Sequence, residues 1–309
     1  MASQSQTLKS IVKELTEKAN QVILDATLTN YTPLLLGDYK GRTKEVAYNK
    51  SQRYYTILAD PTKAIIGKSR WLLRTLIATI GHAGTHSEAE NWPKLTIRDC
   101  KGNIIVEGIG LTQLIYGSAS PRWKGLYTIQ TQITLDKDDA NNSIININLL
   151  NKISRLKLLT SNKSELEKCL IAPIDINKAQ LQLRITRRNQ CIKITLENNN
   201  TIKQIEIKEL DKLVISLTLI TLQILGIGAV ANRGFGRFHI ISNKVNTQYK
   251  EDNPISNIIK ITEYKSRDEL RIKMKKIFED TINIIYNIIY KNNQDINKEE
   301  KNNKHKIRT

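Results

Sequence analysis

Two short stretches of this chain carry residues whose types and spacing suit one kind of chemistry, the binding of a polyanion. The first is Gly67-Lys68-Ser69-Arg70-Trp71-Leu72-Leu73-Arg74. Arg70 and Arg74 stand four apart, which on a helix puts two guanidinium groups on one face. A guanidinium is planar, always charged, and grips a phosphate through parallel N–H donors. Lys68 adds a third cation and Trp71 an aromatic face. The second stretch, 225–238, holds Gly226, Gly228, Gly234 and Gly236, four of only 14 glycines in 309 residues. Asn232, Arg233 and Arg237 bring polar and charged groups there, and Phe235 and Phe238 bring rings. Glycine reaches positive φ and lets a ligand backbone approach with no Cβ in the way. Amides, guanidiniums and an aromatic together suit a phosphodiester chain with unstacked bases. Both stretches also fit plainer readings. The arginines suit a solvated basic face, and the glycines suit a helix cap and tight turn with Phe235 in the core.

Familiar phosphate loops are excluded. The glycines follow a helix instead of opening one, so they are no dinucleotide fingerprint, and no Gly-Lys-Ser/Thr closes the run as in a Walker loop. His82 and His86 stand four apart, but Gly81 and Gly84 argue against a helix through them, and no carboxylate has a metalloprotease offset. Either histidine could instead serve as a general base for RNA cleavage.

The elements that must hold these residues are legible as periodicities. A helix opening at Gly67-Lys68 or Ser69 has Leu72, Leu73, Leu76, Ile77 and Ile80 on its apolar face, with the arginines near outward-pointing amides at its start, a phosphate cradle. An apolar, helix-length run, 210–225, precedes the glycine loop, and 237–241 reads as a short strand after it. Strand patterns cover 21–29, 94–99, 103–109, 127–135 and 202–207, and 180–186 with 191–196 reads as a hairpin. Residues 38–53 read as a basic loop, 143–159 is ambiguous, and 267–290 has helical spacing.

Composition sets the class. Hydrophobic residues at 40% and charged residues at 25% suit a soluble globular protein of two modest domains. The excess of 48 basic over 30 acidic residues gives +18 and favours a polyanionic partner, nucleic acid first and a membrane surface second. No apolar run reaches the roughly 18 residues that span a bilayer, and the first residues are not a secretory signal. Cys100, Cys169 and Cys191 are odd in number and widely spaced, so reduced thiols in a cytoplasm are expected. No cofactor or metal is expected.

Three motifs in order resemble the RAMP superfamily of CRISPR proteins, and within it the first Cmr subunit of type III-B effector complexes. They are Thr32-Pro33-Leu34-Leu35-Leu36-Gly37 after the first strand, Gly67-x-x-Arg70-Trp71-x-x-Arg74 on the first helix, and Gly226-x-Gly228-Ala229 through Gly234-Phe235-Gly236. The pattern departs from the family at Ile66, Ser69, Leu72 and Leu73. The resemblance implies an α+β fold of tandem ferredoxin-like, RRM-like βαββαβ units with a C-terminal helical extension. The divisions expected are an N-terminal helix at 1–20, ferredoxin-like domains at 21–120 and 121–248, a helical region at 249–290 and a disordered tail at 291–309. It also implies a non-catalytic subunit at the head of the complex, near the 3′ region of the CRISPR RNA. Its partners would be CRISPR RNA, target RNA and other Cmr subunits, the backbone subunit above all, with no membrane. The residues so assigned to RNA are Lys68, Arg70, Trp71, Arg74, Gly226, Gly228, Asn232, Arg233, Gly234, Phe235, Gly236 and Arg237. The alternative within the superfamily is a CRISPR RNA-processing endoribonuclease with a histidine base.

Overall fold

A computed structural model describes residues 21–36, 45–49, 54–58, 60–80, 85–135, 170–171, 174–188, 191–198, 201–228, 231–245, 255, 258 and 266–290. In chain order the elements are β1 (Gln21–Asn30), β2 (Glu45–Asn49), β3 (Tyr54–Leu58), α1 (Thr62–Thr79), α2 (His86–Glu90), β4 (Leu95–Asp99), β5 (Ile104–Ile109) and α3 (Leu111–Tyr116). They continue with β6 (Tyr127–Leu135), β7 (Leu170–Ile171), β8 (Ala179–Arg187), β9 (Ile192–Asn198), β10 (Thr201–Gln204), α4 (Ile207–Ile220), β11 (Phe238–Val245) and α5 (Arg267–Ile289). A single π turn, Thr221–Leu225, extends α4.

The fold is α+β, with two antiparallel four-stranded sheets and a C-terminal helix. The first sheet has the order β11-β1-β8-β6. Its strands and the helices α1 and α4 follow one another as β1-α1-β6-β8-α4-β11, the ferredoxin-like βαββαβ succession. The second sheet, β10-β9-β4-β5, is built from two hairpins inserted into that succession, one after α1 and one after β8. β2, β3 and β7 make a small third sheet.

The division at 120/121 is therefore corrected. β1 pairs with β8 on one side and β11 on the other, so strands from both expected domains share one sheet and the two units interleave. Likewise 180–186 and 191–196 are not a hairpin, since β8 joins the first sheet and β9 pairs with β4 in the second. Part of the expected loop 38–53 is strand β2, paired with β3. The expected strand 202–207 stops at Gln204, and Ile207 opens α4. The N-terminal helix, 143–159 and the tail lie outside the described residues.

Burial explains why these segments fold as they do. In β8 Ala179, Leu181, Leu183 and Ile185 face inward, while Gln180, Gln182 and Arg184 are exposed, the period-two pattern of a half-covered sheet. α4 is different, being buried all round from Leu213 to Ile220, as expected of a helix with neighbours on every side. α1 lies against it, and α5 packs on it with Ile277, Ile284, Ile285 and Ile288 buried. Among the described residues no helix is long and apolar enough to cross a membrane.

The thiol expectation is also corrected. Pairing of Asp99 with Ile192 brings the flanking Cys100 and Cys191 to a Cα separation of 5.5 Å, and a disulfide joins them. Cys169 lies outside the described residues.

At the foot of the first sheet Asp211, wholly buried, accepts from the Tyr127 hydroxyl at 2.7 Å and pairs with Arg187. Arg187 also donates to Gln21 and is 17% exposed, so little water reaches its charge. Replacing Asp211 by Ala leaves that guanidinium buried without its counter-ion, which is expected to cost about 3–5 kcal/mol. Urea unfolding at neutral pH measures this, and a loss under about 1 kcal/mol would show the pair to be solvated instead.

Candidate nucleic-acid interface

Three segments far apart in the chain meet at one place. The first is 31–36, which leaves β1; the second is the Lys68 side of α1; the third is the glycine turn between α4 and β11. The Arg237 amide donates to Thr32 Oγ1 at 2.9 Å, and the Tyr31 amide to the Arg237 carbonyl at 2.9 Å. The Gly236 amide donates to the Pro33 carbonyl at 2.8 Å, and the Ile227 amide to the Gly236 carbonyl at 2.8 Å. From the helix, Lys68 Nζ donates to the carbonyls of Leu225 at 3.2 Å and Gly226 at 2.6 Å. The Tyr31 hydroxyl donates to the Gln223 carbonyl.

Glycine is needed here for close approach as well as for φ. A Cβ on Gly226 would strike the Phe235 carbonyl, one on Gly228 the Leu35 carbonyl, and one on Gly236 the Ile227 carbonyl. All three also have positive φ, between 65° and 88°. Gly234, at φ 92°, has nothing within 4 Å of such an atom. Backbone thus packs on backbone, and the expected row of free amides is not there: Gly226 and Gly236 are buried, Gly228 and Gly234 half-buried, and the amides of Ile227, Gly234, Gly236 and Arg237 are spent inside the turn.

The charges divide into two groups. Lys68 is half-buried, and its ammonium is held below the ordinary lysine range first by burial and then by the nearby Arg237 guanidinium. Two like charges are thus kept close at the turn. Arg70 and Arg74 instead converge on Glu90, where Arg70 Nη2 meets Oε1 and Arg74 Nη1 lies 3.5 Å from Oε2. Glu90 ends α2, which is started by a capping box, with Thr85 Oγ1 accepting from the Glu88 amide and Glu88 Oε2 from the Thr85 amide.

Several expected roles change accordingly. α1 starts at Thr62, with the Asp60 carboxylate accepting the Thr62 amide at 3.0 Å, so Arg70 and Arg74 lie two turns inside the helix. The amides beside them are spent within the helix, and the expected cradle at its start is not there. Phe235 and Phe238 are buried at 6% and 0% exposure and offer no ring to a ligand; both belong to the packing of the turn. Trp71 is 44% exposed, and Asn232 is exposed on a single 3-10 turn, Ala231–Arg233. The side chains of Arg233 and His86, and all of His82, lie outside the described residues.

Sequence reasoning missed Glu90, Tyr31 and Gln223, and placed Thr32 in a motif without its role as acceptor for the Arg237 amide. The Thr85-x-x-Glu88 spacing was a readable signal for the small helix that carries Glu90. Nothing in the sequence marks Gln223, yet its buried side-chain amide has neither nitrogen nor oxygen partnered among the described residues. It sits on the π turn, a feature common at functional sites, and such a group is ordinarily met by water or ligand. Among the described residues no group of three or more His, Cys, Asp or Glu could hold a metal ion.

No family model matches the sequence, and no curated protein matches it. Among solved structures, the apo crystal structure of Cmr1 from Pyrococcus furiosus is similar at 12% identity and TM-score 0.45, over 85% of this chain and 60% of that one. A chain of a type III-B Cmr-beta complex bound to cognate target RNA is similar at 16% identity and TM-score 0.48, over 88% of this chain and 63% of that one. The same complex with target RNA, AMPPnP and single-stranded DNA gives 15% identity and TM-score 0.48, over 89% and 66%. These are proteins of the kind the sequence motifs resemble. The chain spans 60% to 66% of their length, and superpositions this loose assign no residue a role.

The turn's packing gives a graded expectation. Gly234→Ala meets only the left-handed backbone cost, roughly 1–2 kcal/mol. Gly236→Ala must in addition displace the Ile227 backbone and is expected to cost clearly more. Thermal unfolding of the two variants compares them; equal losses would mean that the turn yields freely.

Proposed function

We propose that this chain is an RNA-binding subunit of a type III-B (Cmr) CRISPR effector complex. In this reading it sits at the head of the complex near the CRISPR RNA 3′ region. It contacts CRISPR RNA and target RNA, packs on the backbone subunit, and leaves cleavage to other subunits. One observation carries the proposal: the three motif segments, read as separate signals, meet at the glycine turn, with the Lys68 ammonium near enough to Arg237 to feel its charge. A net charge of +18 supplies the long-range attraction for such a partner. The solved type III-B complexes named above hold target RNA, and this chain is proposed to do the same.

Lys68 and Arg237 should each neutralise about one phosphate. Lys68→Met with Arg237→Met is then expected to lower the salt slope of single-stranded RNA binding by about 1.4. Glu90→Gln, which releases Arg70 and Arg74, should strengthen binding and steepen the slope. Fluorescence anisotropy over a salt series reads both, and unchanged slopes would defeat the proposal. Incubation of labelled repeat RNA with the intact chain tests the absence of cleavage. Product that disappears in a His82→Ala, His86→Ala double variant would make it an endoribonuclease.

The pH dependence has a definite sign. Because the Lys68 ammonium titrates below 10.5, its charge is present below that lowered value and lost as pH rises through it. RNA affinity should therefore decline in the alkaline range before exposed lysines titrate, and Lys68→Arg should flatten the decline. Stability runs the other way. Between the lowered value and 10.5 the unfolded chain binds more protons, so this group's contribution rises with pH. An affinity profile identical in the wild type and Lys68→Arg would count against Lys68 as a contact.

A further inference from the structure

The outward strip of α1 is unusual for a solvated helix. Lys63, Ala64, Gly67 and Trp71 are exposed, with Lys68 and Thr75 half-buried at the margin, and the helix has no acidic residue from Thr62 to Thr79. The middle of the strip is thus two small residues and one indole, where long charged side chains are the ordinary choice.

Gly67 has no structural reason to be glycine. It lies inside the helix without a positive φ, and a Cβ there would meet nothing within 4 Å. Interior glycine weakens a helix relative to alanine, so the position bears a cost that neither packing nor backbone geometry requires. What the missing side chain leaves is a notch. Helical side chains lean toward the N-terminus, so Trp71 leaves the helix toward the turn that holds Gly67 and Lys68, with no atom of its ring within 4 Å of where a Gly67 Cβ would stand.

The indole is 44% exposed, four residues along the helix from the bare Gly67. On the same turn Lys68 is tied by its hydrogen bonds to the glycine turn, near Arg237. A flat apolar ring, a gap without a side chain and two fixed positive charges match one ligand unit: a nucleotide of a single strand, base unstacked from its neighbours.

We infer that Trp71 is a stacking platform for one base of a single-stranded RNA, whose sugar-phosphate lies in the Gly67 notch with its charge met by Lys68 and Arg237. This rests on the RNA-binding reading and names the unit that reading would seat at α1. The subsite reads no particular base, because every base has a face to stack.

The full-length protein is titrated with a 15-nucleotide oligouridine and with the same strand carrying abasic sites. Trp92 and Trp123 are partly buried against the core, so quenching by oligouridine that is lost in Trp71→Phe reports the exposed indole. Trp71→Ala should weaken oligouridine binding between about fivefold and a hundredfold. It should leave the abasic strand nearly unaffected, and Trp71→Phe should retain most affinity for both. Gly67→Leu should weaken binding by filling the notch while raising the unfolding midpoint, since leucine is the better helix former and a Cβ at this exposed position meets nothing within 4 Å. A merely structural glycine would move stability and affinity together.

If the strands bind and Lys68→Met weakens them while Trp71→Ala and Gly67→Leu do not, the platform is overturned and the RNA-binding reading stands. The strip would then be a protein contact. If neither strand binds the wild type, both proposals fail.

Discussion

The site depends on an ammonium group at the end of a buried helix. α4 and its π turn finish with carbonyls that no later amide of the helix can take, and the end of a helix carries partial negative charge. Lys68 supplies a donor to two of these carbonyls, those of Leu225 and Gly226, from 157 and 158 residues earlier in the chain. The Ser69 and Thr221 hydroxyls, 3.0 Å apart, make a second tie one residue along. These contacts set the register of α1 against the glycine turn. They also hold an ammonium where burial and Arg237 both oppose its charge. The cation is kept because the helix end needs it, and its unspent charge is what the site can offer an anion.

Electrostatics make the two groups of cations unequal. At Arg70 and Arg74 a single carboxylate, Glu90, offsets part of two guanidinium charges and holds both heads at one point. Around Lys68 and Arg237 two like charges stand together, which raises local potential and favours any ligand that brings negative charge between them. An incoming phosphate would relieve repulsion at the second place and compete with a carboxylate at the first. For an anion the Lys68 side of α1 would therefore be the stronger anchor, although from sequence the arginine pair is the more conspicuous motif.

How much was legible divides along the same line. Local periodicity was readable: the alternation in Ala179–Arg187, the apolar run of α4 and the crowding of Gly226, Gly228, Gly234 and Gly236 all announced their elements. The resemblance grouped α1, the glycine turn and the motif at 32–37 as one set, but that Lys68 and not Arg70 or Arg74 would meet the turn had no mark in the sequence. Partnership was not readable. Nothing in Arg70 or Arg74 shows that Glu90 lies opposite, and nothing in Phe235 separates a ring in the core from a ring for a base. The start of α1 was misplaced because the apolar stretch Ile65-Ile66 hides the first turn, although Asp60-Pro61 before it is a recognisable helix opening. The hairpin expected at 180–196 failed for a similar reason, since two good strands near in sequence need not pair when each has a better partner elsewhere.

That last error exposes the logic of the fold. β1, at the beginning of the described chain, lies between β8 and β11, so the first sheet closes only when the last strand arrives. The candidate site has the same requirement. Thr32 and Pro33 meet Arg237 and Gly236 across some two hundred residues, so neither half of the chain contains a usable fragment of it. Contacts of such separation demand early loss of chain entropy and reward it late. The site is thus a report on the completed fold: backbone, lysine and glycine turn come together only once both ends of the ferredoxin-like unit are in place. A splice at 120, which the order of motifs alone would suggest as a domain boundary, would cut through the middle of both the sheet and the candidate site.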